Sequence, residues 1–134
     1  MITASVFDWL YDTLSADATI SAAVNSRIYR NVAPVGATFP YIVMQYVSGT
    51  DVYAMGGIRV VSSAVVIVKA IGLASQYATL VSLADAIDAA ISGAINGQAV
   101  LSCLRLTALD YEEERDGVRY EHIGGQYSLV VQEG

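Results

Sequence analysis

The sequence predicts an α+β fold: a mostly antiparallel four- to five-stranded sheet packed by an N-terminal helical hairpin and one long central helix. Three observations carry the prediction. Apolar residues recur at helical spacing near the start and the middle, β-branched runs lie between and after them, and Asp116-Gly117 joins two long strand-like segments. At 134 residues the chain fits one domain, 1–134, and a domain of that size buries roughly two-thirds of its unfolded surface.

From Ile2 to Leu14, Ile2, Val6, Phe7, Leu10 and Leu14 share one helical face and Asp8 and Asp12 lie opposite. Asp17 then caps a short second helix carrying Ile20 and Val24, which Asn25-Ser26 closes. Arg27 to Asn31 reads as a short strand or an extended link, and Pro34 and Gly36 favour a loop as far as Pro40. Tyr41 to Ser48 is rich in β-branched and aromatic residues. Ile58 to Ala70 contains Ala64-Val65-Val66-Ile67-Val68, the pattern of a central strand buried on both faces. Between them, Gly49 to Gly57 is expected to form a long mobile hairpin loop.

In the segment Leu73 to Ile91, Leu80, Leu83, Ala84, Ile87 and Ile91 share a helical face, with Ser82, Asp85 and Ser92 turned away. Gly93, Asn96 and Gly97 stop this helix before two final strands, Val100 to Arg115 and Val118 to Gln132. A two-residue turn dictates their register. It sets Leu104 opposite Leu129 and Leu106 opposite Tyr127 on an apolar face, and Arg105 opposite Ser128 and Thr107 opposite Gln126 on a polar one. A bulge at Gly124-Gly125 would shift the pairs farthest from the turn.

Composition narrows the function. The chain is 54% hydrophobic and 15% charged, with a mean hydropathy of +0.48, so apolar surface is left over for a partner. No membrane span absorbs it: the longest uncharged run, Asn31 to Thr50, contains Pro34, Gly36 and Pro40 and alternates like a strand. The N-terminus has no basic n-region and carries Asp8 and Asp12, which argues against a secretory signal. One cysteine and one histidine support neither an internal disulfide nor a Cys/His zinc site within the chain. A net charge of −6 disfavours a basic footprint for nucleic acid.

Candidate chemistry is sparse. The register sets His122 opposite Tyr111, eight residues from Cys103, which is roughly 26 Å along a strand and far beyond nucleophile–base reach. Cys103 then reads as a small strand residue and His122 as a partly exposed one. Asp110, Glu112 and Glu114 would line one strand face and offer oxygen ligands to a hard cation such as Ca²⁺ or Mg²⁺. A solvated hairpin tip with Arg119 opposite Glu114 is favoured, because cation cages gather their ligands from curved loops. Residues 110 to 122 hold six acidic and two basic side chains, so −4 of the −6 gathers there. Such a tip resists edge-to-edge aggregation or, in a ring, faces a DNA channel. Asp85 and Asp88 read as the solvent edge of the long helix, and Gly56-Gly57 and Gly124-Gly125 match no phosphate-binding fingerprint. Val52-Tyr53-Ala54-Met55 puts large apolar groups in a polar loop, either folded back on its own core or touching a neighbouring subunit.

Arg27-Ile28-Tyr29, Ala33-Pro34 and Phe39-Pro40-Tyr41-Ile42-Val43 follow the amphipathic helix and the Asp-led turn. Val47-Ser48-Gly49, Leu83-Ala84-Asp85-Ala86-Ile87 and the closing Tyr111 to Tyr120 hairpin come after them. This ordered set, spanning nearly the whole chain, resembles the phage tail-completion or tail-terminator proteins of siphophages, prophages and gene-transfer agents. The resemblance implies a non-enzymatic structural protein of the virion tail neck, made in the bacterial host cytoplasm. It implies a homo-oligomer, a hexameric ring that caps the tail tube, stops its polymerisation and offers the head-tail joining surface. Its partners would be the major tail tube protein and a head-completion or stopper protein, with DNA passing the lumen without specific binding and no cofactor involved. The family supplies no catalytic residues, so the candidate residues are interface ones: Tyr53, Met55, Gly56 and Gly57, then Glu112, Glu113 and Glu114. The rival readings are another neck component such as a head-closure protein, and a small metal- or ligand-binding domain using Asp110, Glu112 and Glu114.

Overall fold

The computed structural model describes residues 2–57, 59–93 and 100–132. In chain order the elements are α1 (Ile2–Ala16), α2 (Ala18–Val24), β1 (Ile28–Arg30), β2 (Tyr41–Tyr53), β3 (Arg59–Leu73), a 3₁₀ turn (Ala74–Gln76), α3 (Tyr77–Ile91), β4 (Val100–Arg115) and β5 (Val118–Gln132). The five strands form one sheet in the order β1-β2-β3-β5-β4. β1 joins β2 in parallel and every other neighbour is antiparallel. The α+β architecture, the helical hairpin and the long helix are those the sequence predicts.

The helices cover one face of this sheet. α1 buries Val6, Phe7, Leu10 and Leu14, α2 buries Ile20 and Val24, and α3 buries Leu80, Leu83, Ile87 and Ile91. They meet the inward row Ala64, Val66, Val68 and Ala70 of β3, joined by Ile42, Met44, Ile123, Tyr127 and Leu129 from the strands beside it. Truncating any one of the buried leucines to alanine removes transfer energy and leaves a cavity, a loss of about 2–5 kcal/mol. α2 starts because the Asp17 carboxylate accepts hydrogen bonds from the Thr19 and Ile20 amides, at 3.0 and 3.1 Å.

Three expectations are corrected. The segment Gly49 to Gly57 is mostly strand: β2 runs on to Tyr53 in register with β3, because Thr50, Val52 and Tyr53 carry β-forming side chains, and only a short turn remains at the tip. The run Ala64 to Val68 is fully buried on one face only. Val65 and Ile67 are half-buried on the face without helices. The final hairpin has the expected register near its turn, with Tyr111 opposite His122 and Thr107 opposite Gln126.

Beyond that point the register slips, and the cause is at Leu106 and not at Gly124-Gly125. A shift between Arg105 and Thr107 leaves Leu106 without a facing residue, and one extra residue moves the pairs from Arg105 to Ser102 by one, before a second shift between Ser102 and Val100. Cys103 therefore faces Leu129, Arg105 faces Tyr127 and Leu104 faces Ser128. Leu104 and Leu106 end up 59% and 58% exposed, not in the expected apolar face. The expected stop signals Asn96 and Gly97, like Ile58 at the expected start of the second strand, lie outside the described residues.

Two glycine sites have direct reasons. Asp116 and Gly117 take φ of 54° and 79°, the paired left-handed conformation of a type I′ turn, whose twist matches the strands it joins. At Gly124, β5 runs so close to β3 that a β-carbon would collide with the Val68 carbonyl oxygen and come within 2.5 Å of Lys69 Cα. The two hairpin turns sit at opposite ends of the sheet, since Val61 lies beside Gln132 and Leu73 beside Tyr120.

Gly124→Ala is expected to lower stability by about 1–3 kcal/mol through this overpacking, read as a lower denaturant midpoint at unchanged slope. Asp17→Ala should lose about 1 kcal/mol in the same assay as the amides at the start of α2 lose their acceptor.

Candidate assembly surfaces

Three surfaces lie outside the helix-covered core. The first is the β2–β3 tip. Gly56 and Gly57 take left-handed φ of 90° and 79° in its turn. This geometry holds Tyr53 and Met55 out at 59% and 98% exposure, with Val52 and Val60 also exposed beside them. The tip does not fold back onto its own core.

The second is the acidic arm at the β4–β5 turn: β5 stays paired with β3 as far as Tyr120 opposite Leu73, and only Glu114 to Arg119 project past the end of β3. Strand alternation puts Asp110, Glu112, Glu114 and Glu121 on the helix-side face and Glu113 on the other. Asp110, Glu112 and Glu113 are each engaged by a partner of their own. Asp110 Oδ2 accepts a hydrogen bond from the Tyr77 hydroxyl at 2.9 Å. Arg119 lies opposite Glu114 in register, yet its guanidinium reaches diagonally to Glu112 at 3.0 Å. Arg115 pairs with Glu113 at 3.0 Å, and that hydrogen bond holds the Glu113 carboxyl below its usual range. Among the described residues, no set of three His, Cys, Asp or Glu side chains is grouped to hold a metal ion. Glu121 is buried at the root of the arm, and burial, then the carboxylates of Asp110 and Glu112, push it up to about 7.

The third surface is a cavity of about 370 Å³ between the 33–39 segment and the face of the sheet without helices. Arg27 anchors the end of that segment: its Nε donates to the Pro40 carbonyl at 3.1 Å and its Nη2 to the Ala23 carbonyl at 3.3 Å, tying α2 to the strand entrance. The Phe39-Pro40 peptide bond is cis. Phe39 stacks on Tyr41 with ring centres 5.2 Å apart and tilts against Tyr120 at 5.4 Å. His122 also lines the cavity. It is buried, not partly exposed as expected, because Tyr111 stacks over its ring at 4.6 Å. Neither ring nitrogen has a hydrogen-bond partner, and Nε2 lies 3.5 Å from the Glu113 carboxylate, an ion pair only when the ring is protonated. Burial first, and the nearby Lys69 ammonium second, lower the His122 pKa. Lys69 itself donates to the Tyr111 hydroxyl at 2.8 Å.

Two residues have roles other than those expected. Asp88 is not simply solvent edge: it accepts from the Tyr127 hydroxyl at 3.0 Å and lies 3.8 Å from the Arg105 guanidinium, fastening α3 to the sheet. Cys103 is fully buried and its thiol is pushed up to about 12 by that burial, so it is no nucleophile. The cavity had no single signal in the sequence, since its walls come from segments far apart in the chain. The facing of Tyr111 and His122 was its one legible part.

Comparison with known proteins gives a concordant result. The family model described as tail completion protein gp17 matches residues 9–132. No curated protein matches the sequence. Among solved structures, a chain from the virion of a native gene transfer agent particle is similar in fold, with a TM-score of 0.72 and 20% identity over 92% of each chain.

Glu121 generates a pH prediction. Its folded-state pKa lies above its unfolded value, so its contribution is fully present below about 4.5 and is lost as pH rises through about 7. Glu121→Gln should therefore raise the melting temperature at pH 8 by about 3–6 °C relative to the unaltered protein, a gain that closes by pH 5. Comparison at equal pH cancels the opposite trend of His122, whose lowered pKa costs stability as pH falls below its unfolded value.

Proposed function

The chain belongs to the tail completion protein gp17 family, structural components of the virion and not enzymes, and we propose that it assembles as a ring, hexameric by analogy with tail terminators. The ring caps the tail tube, stops its polymerisation and presents the surface to which the head connector joins. The family match over residues 9–132 is the observation that carries this reading, and the exposed surfaces support it. A head-to-tail contact repeats in one direction and closes into a ring when its rotation permits. Such a contact needs two different surfaces on one subunit, and the apolar β2–β3 tip and the acidic arm lie at opposite ends of one sheet.

Charge also fits a ring through which DNA passes. The arm brings −4 net over residues 110 to 122, and its two arginines are already paired with Glu112 and Glu113. A wall of that sign does not retain a polyanion. The tube protein and the head-completion protein are the partners this reading names.

Mixing the purified chain with growing tail tubes tests it. Tubes should stop lengthening and carry ring-shaped density at one end in electron micrographs, with a mass near six subunits per ring. Tubes that lengthen equally with and without the chain, and never carry it, would overturn the proposal.

A further inference from the structure

We propose that the cavity beneath the 33–39 segment receives the β2–β3 tip of a second copy, with Met55 the inserted side chain and Tyr53 packed at its mouth. This names the contact within the ring reading above and rests on it.

The tip and the cavity are complementary in chemistry. Met55 and Tyr53 stand in solvent at the tip. The cavity walls include Pro34, Phe39, Tyr41 and Tyr120, and a thioether gains from contact with aromatic rings and adapts to an irregular space. At about 370 Å³ the cavity is small for a ligand pocket and suits one or two side chains. His122 adds a second, independent sign. It is more than nine-tenths buried on the cavity wall, its Nδ1 has no hydrogen-bond partner and its Nε2 has only the Glu113 carboxylate at 3.5 Å, a cost that a structure carries when its own chain does not complete the site.

Geometry excludes the chain's own tip. Met55 lies beyond Arg59 at one end of β3, while Ile71 of the cavity wall lies at the other, roughly 40 Å away along the strand. Charge then favours unlike ends. Asp51 is the single charged residue from Ser48 to Gly57, whereas the cavity sits at the root of the acidic arm. Two arms repel each other, and a near-neutral tip meets the arm without that repulsion. A contact between opposite ends of one rigid sheet is heterologous, so it repeats from copy to copy.

Variants with one added cysteine test the contact, since the native Cys103 is buried and does not compete for reagent. Met55→Cys and Val35→Cys both alter exposed positions and should leave the fold intact. Rings assembled from an equal mixture of the two and treated with a short thiol cross-linker should give covalent dimers, and rings of either variant alone should give none. Dimers from Met55→Cys alone would show tip-to-tip pairing and overturn the proposal. Rings that form without any link between the two positions would overturn it and leave the ring reading standing. If no ring forms, a peptide of residues 48–60 is added to the monomer and the ring signals of the sole histidine are followed by NMR. A saturable shift, abolished in a Met55→Asp peptide, supports the contact while the ring reading fails. An absent shift overturns the contact as well.

Discussion

The inward row Ala64, Val66, Val68 and Ala70 is the surface on which the rest of the molecule is assembled, because β3 is paired on both sides while its row meets the helical layer. Side-chain facing in a strand has a period of two, so a one-residue slip of β3 would turn this row outward and the half-buried Val65 and Ile67 inward. Small residues at the ends of the row and valines at its centre let α3 settle closely. Gly72 continues the approach: a β-carbon there would come within 3.0 Å of the Leu80 side chain. The same strand orders the outer elements. β2 and β5 take their positions from it, and with them the two hairpin ends on which assembly is proposed to depend.

The opposite face follows a different economy. Three helices cover the inner face, and the outer face has only the segment after β1 laid over one end. That segment is held by Arg27 at its exit and by the ring contacts of Phe39 with Tyr41 and Tyr120. Under and beside it lie polar groups that a sheet face normally leaves in water. Lys69 is satisfied by the Tyr111 hydroxyl, and the Tyr111 ring is in turn the lid over His122. The buried imidazole follows from this stacking: a ring placed to shield Lys69 also removes solvent from its cross-strand partner. Polar burial here is thus a consequence of one aromatic residue serving two neighbours.

Much of this was legible in the sequence, for reasons that can be stated residue by residue. The helices announce themselves through the spacing of Val6, Leu10 and Leu14 and of Leu80, Leu83, Ile87 and Ile91, and Asp17 marks a boundary. Asp116-Gly117 gave the hairpin register over its first nine pairs. The slip at Leu106 was illegible because a bulge adds one residue without changing composition, and a leucine there suits either face of an apolar pattern. Val47 breaks the β2–β3 register in the same silent way. Among candidate site residues, Tyr53 and Met55 were legible as apolar groups among polar neighbours. The cavity was not, since it arises only when the sheet brings residues 33–41, 71 and 113–122 together.

The bulges at Val47 and Leu106 also bear on how an open-edged sheet avoids pairing with the wrong neighbour. β4 is a sixteen-residue edge strand, and β2 past Met44 has no strand on its outer side among the described residues. Long flat edges invite indiscriminate pairing. Leu106 and Val47 interrupt the regular ladder on these two strands, increasing local twist and breaking the straight run of hydrogen-bonding groups that another strand would need. The acidic arm protects the Asp110 to Glu114 part of β4 by charge, since two such edges brought together would align like-charged side chains. The proposed ring closure through side chains, a tip entering a cavity, would avoid the edges altogether. It would let one surface be specific while the edges stay closed to uncontrolled addition, which is the constraint on any subunit that must stop a polymer without forming one of its own.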